Sequence, residues 1–142
     1  MGQAAPAKMP PFTRDVLNAL TYKINGAAIA LHRQYGPGLL EGVYEACLAH
    51  DLRALGLQIE TQKPVPLVHR GIRLNCAYRA DIVVESIVLV EVKAVDALAP
   101  IHSRQLLTYL RLTNLPFGLV LNFGGLTMKD GIKRVANGYP EE

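Results

Sequence analysis

The sequence predicts one α/β domain, a mixed sheet flanked by helices, with elements in the order α, α, β, β, β, α, β. Three observations predict it. Apolar residues recur at helical spacing in two N-terminal stretches; the middle of the chain turns to β-branched runs bounded by Pro and turn residues; and a further helical pattern separates these from a nearly all-apolar run of strand length. At 142 residues there is room for one compact domain, which excludes a two-domain enzyme. Half of the residues are hydrophobic and 19% are charged, so a core can be buried and wholesale disorder is excluded.

Residues 1–11, Ala- and Pro-rich without periodicity, read as a flexible tail, leaving 12–142 as the domain. Leu20, Ile24, Ala27, Ala28, Leu31 and Tyr35 mark a first helix, which Gly36, Pro37 and Gly38 stop. A second spans about Leu39 to Leu55 on Leu40, Val43, Tyr44, Cys47, Leu48, Leu52 and Leu55, with Gly56 as its C-terminal cap. Leu57 to Leu67 is interrupted by Pro64 and Pro66, so a strand there is bent or at an edge. Leu74 to Val84 and Ile87 to Ala94 flank Glu85 and Ser86 as an antiparallel hairpin. Ala99 and Pro100 break the pattern before an amphipathic helix from Ser103 to Thr113. Phe117 to Phe123 then has the composition of a strand covered on both faces. Beyond Gly124 the signal weakens, and a short helix is expected near Gly131 to Ala136.

Fifteen Lys and Arg against 12 Asp and Glu leave a charge of +3 and a pI near 9.0, mildly favourable to a polyanionic partner. No apolar run approaches the roughly 18 residues a membrane helix needs, and Met1 to Phe12 lacks the apolar core of a secretory signal. A cytoplasmic protein without a membrane partner is expected. Cys47 and Cys76 cannot by themselves build a zinc ribbon or a four-Cys iron-sulfur site and are expected as reduced, largely buried thiols. Gly2 opens like a myristoylation site, but Pro6 stands where Ser or Thr is needed. The Gly36-Pro37-Gly38 turn lacks the ending of a phosphate loop, and His32 and His50 lack partners at metal-ligand spacing.

The hairpin places charges among hydrophobic residues. Val88, Val90 and Val92 share one face and Leu89, Glu91 and Lys93 the other, while Arg79, Asp81 and Val83 share a face of the preceding strand. If Val84 and Val88 flank a three-residue turn, Asp81 stands opposite Glu91, and at a strand separation of about 4.8 Å both carboxylates can reach one cation. Adjacent acids repel and need compensation, from a metal or from Lys93 and Arg79 in a salt-bridge network. Spacing alone leaves both readings open.

Asp81, nine further residues and then Glu91-Val92-Lys93 resemble the signature of the PD-(D/E)xK nuclease superfamily, whose α-β-β-β-α-β core matches the order from the second helix onward. The resemblance implies a restriction-endonuclease-like core with an extra N-terminal helix. Gly38-Leu39-Leu40-Glu41-Gly42-Val43-Tyr44 is similar to the GxxExxY motif, and from about Leu20 to Asn137 the chain resembles the GxxExxY family of that superfamily. Gln105-Leu106-Leu107-Thr108-Tyr109 is similar to the Gln-x-x-x-Tyr signature of RecB-like nucleases. The Pro that often precedes the acid is Ala80 here.

This resemblance implies metal-dependent phosphodiester hydrolysis of nucleic acid, most readily DNA, with Mg²⁺ or Mn²⁺ as cofactor. Asp81 and Glu91 would be metal ligands, and Glu41 a further one directly or through water. Lys93 would orient the attacking water or stabilise developing charge, and Gln105 would contact the metal water or phosphate. Tyr109 and Tyr44 would touch the substrate, and Arg79, read from its charge and not from the resemblance, is a further candidate contact. Read without it, Glu41 and Glu45 form an acidic first turn that suits the helix dipole, Tyr109 packs in the core, and Lys93 pairs with Glu91. Lys63, His69, Arg70, Arg73, His102 and Arg104 are further candidates for phosphate contact. A non-catalytic nucleic-acid-binding or protein-interaction module retaining the fold is the alternative function, and a structural subunit with salt-bridged acids a third. So short a chain has little surface beyond its core, so a homodimer or larger partner protein is expected to supply substrate grip.

Overall fold

A computed structural model of the chain describes residues 13–138, apart from the side chains of Cys76 and Ala77. The expected tail, 1–11, and the expected buried thiol of Cys76 lie outside the described residues. Two helices come first. In α1 (Arg14–Tyr35) Thr13 Oγ1 accepts the Val16 N–H at 3.1 Å as the N-cap, and Gly36, at φ +69°, ends the helix where expected. α2 (Glu41–Ala54) closes at Gly56 (φ +86°): the Gly56 N–H reaches the Arg53 carbonyl at 2.9 Å and the Leu57 N–H that of Leu52 at 3.3 Å, the two bonds of a Schellman cap.

The strands β1 (Ile59–His69), β2 (Ile72–Val84) and β3 (Val88–Lys93) follow, then α3 (Pro100–Thr113), β4 (Phe117–Asn122) and β5 (Ile132–Ala136). They form one five-stranded sheet in the order β1-β2-β3-β4-β5, in which β3 and β4 run parallel and the other pairs antiparallel. The restriction-endonuclease-like α-β-β-β-α-β core is thus present, with α1 added before it and β5 after it. α1 and α2 cover one face through Leu20, Ile24, Leu48 and Leu52 on Ile82, Val84, Val88, Val90, Val92, Leu119 and Leu121. α3 covers the other through Leu106 and Leu110 on Val83, Leu89 and Val120. β4 is buried along its whole length, as an all-apolar strand between two helical layers must be.

Two elements differ from expectation. The segment Gly131 to Ala136 is no helix: a single 3-10 turn at Lys129–Gly131 leads into β5, because the free edge of β4 offers Ile132–Ala136 a full antiparallel ladder. Pro100 does not delay α3 but opens it, since the first helical position has no use for an N–H and favours the fixed φ of Pro. Among the described residues no helix is long and apolar enough to cross a membrane.

β1 is an edge strand, as Pro64 and Pro66 require, and its register with β2 shifts between Val65 and Leu67. β2 pairs with β3 only at Ile82–Val90, Val83–Leu89 and Val84–Val88, around the expected three-residue turn. Residues 63–69 and 72–80 therefore pair only with each other, as a two-stranded ribbon running past the sheet. Where ribbon meets sheet the side-chain alternation slips. Ala80 and Val83 both pack under α3 while Ile82 and Val84 face α1 and α2, and Gln62, opposite Asp81, has a φ of +51°. For this reason Arg79, Asp81 and Val83 do not share one face.

Candidate active site

Asp81 lies at that slip and Glu91 on the neighbouring strand, in the register that sets Val84 against Val88. No ladder rung joins them. The Asp81 N–H donates instead to Glu91 Oε2 at 3.1 Å, and the Val92 N–H donates to Asp81 Oδ2 at 2.8 Å. Each carboxylate thus takes the place of a backbone carbonyl, and the strands part around the pair. Val88, Val90 and Val92 point to α1 and α2, so alternation carries Glu91 and Lys93 to the α3 side with Leu89.

The slip also turns Asp81 toward α2. Gln62 Nε2 donates to Glu45 Oε2 at 2.6 Å and to Asp81 Oδ1 at 3.4 Å, linking helix, ribbon and sheet. Glu45 is half-buried, whereas Glu41, one turn earlier, is exposed. Periodicity alone ranked Glu45 as a solvated helix residue; nothing in the spacing reveals the slip that brings Asp81 to it. Gln62 was likewise missed.

The electrostatics follow from this crowding. Burial, and then the charge of Asp81, push Glu91 up to about 8, against the Asp81 N–H and the Lys93 charge, which favour the ionised form. Burial raises Asp81 as well, with Glu41 adding to the rise, while the Val92 N–H, Lys93 and Gln62 oppose it. Glu45 is raised by burial and by the charges of Asp81 and Glu41, against its bond from Gln62. Of the two readings that spacing left open, the salt-bridge network is not seen: among the described residues no Lys or Arg pairs with Asp81, Glu91 or Glu45, and Arg79 is exposed.

The other expected site residues divide. Tyr109 is half-buried against the α3-side cluster, its ring 5.0 Å from that of Tyr78, and burial and the charges of Glu91 and Asp81 raise its phenol. It therefore borders the acids. Gln105 is exposed one turn before it on α3, with no hydrogen bond to the acids among the described residues. Tyr44 is not available to a substrate. It is fully buried and stacked on Phe123 at 4.6 Å, and its hydroxyl takes the Leu39 N–H at 3.0 Å and donates to the Gly36 carbonyl. Its work is to hold the turn that aims the start of α2.

Asn122, paired with Lys93 across the parallel rung, is a supporting residue that no sequence pattern announces. Its Oδ1 accepts the N–H groups of Val95 (2.9 Å) and Gly124 (3.1 Å), and its Nδ2 donates to the Val95 carbonyl at 2.9 Å, fixing the chain just beyond Lys93. His102 Nδ1 accepts the Ala99 N–H at 3.0 Å at the start of α3, and His32 Nε2 lies 2.9 Å from the Gly125 carbonyl oxygen. Cys47 is a half-buried free thiol.

The donor set around Asp81 is all oxygen, which suits a hard cation. Among the described residues no three acidic, His or Cys side chains stand close enough to enclose an ion where they are, but Mg²⁺ keeps several waters and needs only one or two carboxylates. No curated protein and no solved structure is significantly similar to the chain. The model of the PD-(D/E)XK nuclease superfamily matches residues 18–135, which include both helices that flank the acids and both strands that bear them, and the chain belongs to that superfamily.

Proposed function

We propose that the protein is a Mg²⁺- or Mn²⁺-dependent deoxyribonuclease whose site is Asp81, Glu91 and Lys93. Membership of the superfamily suggests nuclease activity on nucleic acid with a divalent metal; the observation that carries the finer reading is an acid pair, Glu91 buried and Asp81 half-buried, to which no Lys or Arg forms a salt bridge among the described residues. Crowded carboxylates that repel each other stay together in a protein where a cation is to be bound. Within the superfamily, Gly38, Glu41 and Tyr44 support assignment to the GxxExxY family, and Gln105 with Tyr109 the RecB-like signature.

Asp81 and Glu91 would hold the metal, with Glu45 or Glu41 adding a contact through water. When bound, the ion supplies Lewis acidity at the phosphate and a lowered pKa for a coordinated water. Lys93, a compact cation beside both acids, holds the attacking water or offsets charge developing on the phosphate. Tyr109 and Gln105 border the path of the nucleic-acid backbone, Arg79 offers it a positive charge, and a second protomer or partner protein adds grip.

The test incubates wild type, Asp81→Asn and Lys93→Ala with linear duplex DNA, single-stranded DNA and RNA in Mn²⁺. Cleavage of DNA by wild type alone is expected. Cleavage that survives both substitutions overturns the assignment, and binding without cleavage by wild type favours the non-catalytic module.

A further inference from the structure

The net positive charge of the chain is concentrated in one element. Between Lys63 and Ala80 stand Lys63, Arg70, Arg73, Arg79 and His69 and no Asp or Glu, so the four formal positive charges of this stretch exceed the +3 of the whole chain. This stretch is the ribbon of β1 and β2 that leaves the sheet where β3 ceases to pair. Val65 and Ala80 anchor its root under α3. Beyond the root Val68, His69, Arg70, Ile72, Arg73 and Leu74 are all exposed. Among the described residues the one ion pair on the ribbon is Lys63 to Glu60 at 3.3 Å; Arg70, Arg73 and Arg79 have none. The ribbon starts at the acids, since Asp81 follows Ala80 and Gln62 stands opposite.

We propose that this ribbon is a clasp for double-stranded DNA, lying in the major groove beside the cleavage site with Arg70 and Arg73 on the phosphates. The proposal rests on the nuclease reading and adds the form of the substrate. A two-stranded ribbon is one of the two elements that fit the roughly 12 Å major groove of B-form DNA. The major groove of duplex RNA is too deep and narrow for it. Single strands are held on stacked aromatic rings, and the ribbon's one Phe, Tyr or Trp, Tyr78, is spent at the root against Tyr109. From Ala80 to Arg73, seven steps of about 3.3 Å span roughly 23 Å, or about seven phosphates at 3.4 Å each.

The test measures binding of the full chain in EDTA to DNA duplex, single-stranded DNA and RNA duplex of about 24 units, across a salt series, for the parent and for Arg70→Gln/Arg73→Gln. The parent should prefer duplex DNA. The double variant should melt as the parent does, lose at least roughly tenfold in duplex affinity, and show a salt slope smaller by about two. In Mn²⁺, trimming the duplex to fewer than about seven pairs on one side of the cut should slow the parent and leave the variant unaffected. Unchanged affinity and slope in the variant, with duplex still bound and cut by the parent, would overturn the clasp and leave the nuclease standing. Preference for single strands or RNA with the same dependence on Arg70 and Arg73 would overturn the choice of DNA duplex. If Ile72→Ser/Leu74→Ser splits a dimer and leaves duplex affinity untouched, the ribbon is a self-association surface and the proposal is wrong. A parent that neither binds nor cuts any of the three loses both readings.

Discussion

Asp81 gives its N–H to Glu91 Oε2 at 3.1 Å while its own carboxylate takes the N–H of Val92 at 2.8 Å, so each acid is held by the strand that bears the other. The pair is built into the backbone: its hydrogen bonds come from amides, and Lys93 acts on it only through its charge.

The first consequence is a stability that falls with pH. Glu91 ionises near 4.5 in an unfolded chain and near 8 in the fold, so between those values the folded state holds a proton that the unfolded state has released. The contribution is therefore neutral below about pH 4.5, increasingly unfavourable as pH rises, and constant above about 8. Glu91→Gln, which keeps an acceptor for the Asp81 N–H, should be more stable than wild type by a few kcal/mol at pH 8.5, with the gain vanishing near pH 4.5. Guanidinium unfolding without metal, at several pH values, checks it. Parallel curves for the two proteins would contradict the assignment.

Metal uptake should release protons. A cation takes the ionised form of Glu91, so near pH 7 binding must displace about one proton, and affinity should rise up to tenfold per unit until about pH 8. Calorimetry of Mn²⁺ binding in buffers of different ionisation enthalpy reads the proton count. Mn²⁺ should raise the melting temperature of wild type and EDTA should reverse it, with neither effect in Asp81→Asn.

Glu45 should matter more than Glu41. Glu45 is half-buried and tied through Gln62 to Asp81, whereas Glu41 is exposed. Glu45→Gln should weaken Mn²⁺ binding about tenfold and Glu41→Gln by less, each the scale of lost supporting interactions at metal sites. The reverse order would restore Glu41 to the role the motif gave it.

Tyr44→Phe should cost stability and spare recognition. Removing the hydroxyl strands the Leu39 N–H and the Gly36 carbonyl in a part-buried turn, at about 1–3 kcal/mol. Thermal unfolding should show the loss with KM for nucleic acid unchanged. A KM effect at full stability would show that Tyr44 reaches the substrate after all.

Asn122→Ala should remove three hydrogen bonds around Val95 and Gly124, for roughly 2–4 kcal/mol, and lower kcat by loosening the chain that follows Lys93. Cleavage at the wild-type rate would mean that Lys93 is positioned by β3 alone.

The hairpin register was legible because alternation and a three-residue turn leave one pairing that buries Val88, Val90 and Val92 together. The edge position of β1 was legible from Pro64 and Pro66, and both helix stops from Gly36 and Gly56. β5 was not, since five mixed residues form a strand only because β4 has an unpaired edge to offer. At the site, Asp81 and Glu91 could be paired from spacing, but the slip opposite Gln62 is a three-dimensional twist that leaves no mark in hydrophobic pattern. It is why Glu45 was undervalued. Tyr44 was read as a substrate contact because a motif shows which residue recurs at a spacing and not which way it points.

The exchange of carboxylate for carbonyl at the parting of β2 and β3 also equips the molecule with its own isotope reporter. The amide hydrogens of Asp81 and Val92 are sheltered from solvent deuterium by two carboxylates and by no carbonyl rung, whereas those between Ile82 and Val84 sit in an ordinary ladder. A ligand that pulls Glu91 Oε2 and Asp81 Oδ2 away from these N–H groups would leave the two amides uncovered. Occupancy of the site would then register as faster deuterium uptake at Asp81 and Val92 against a slow background, at single-residue resolution and without any substrate being cut.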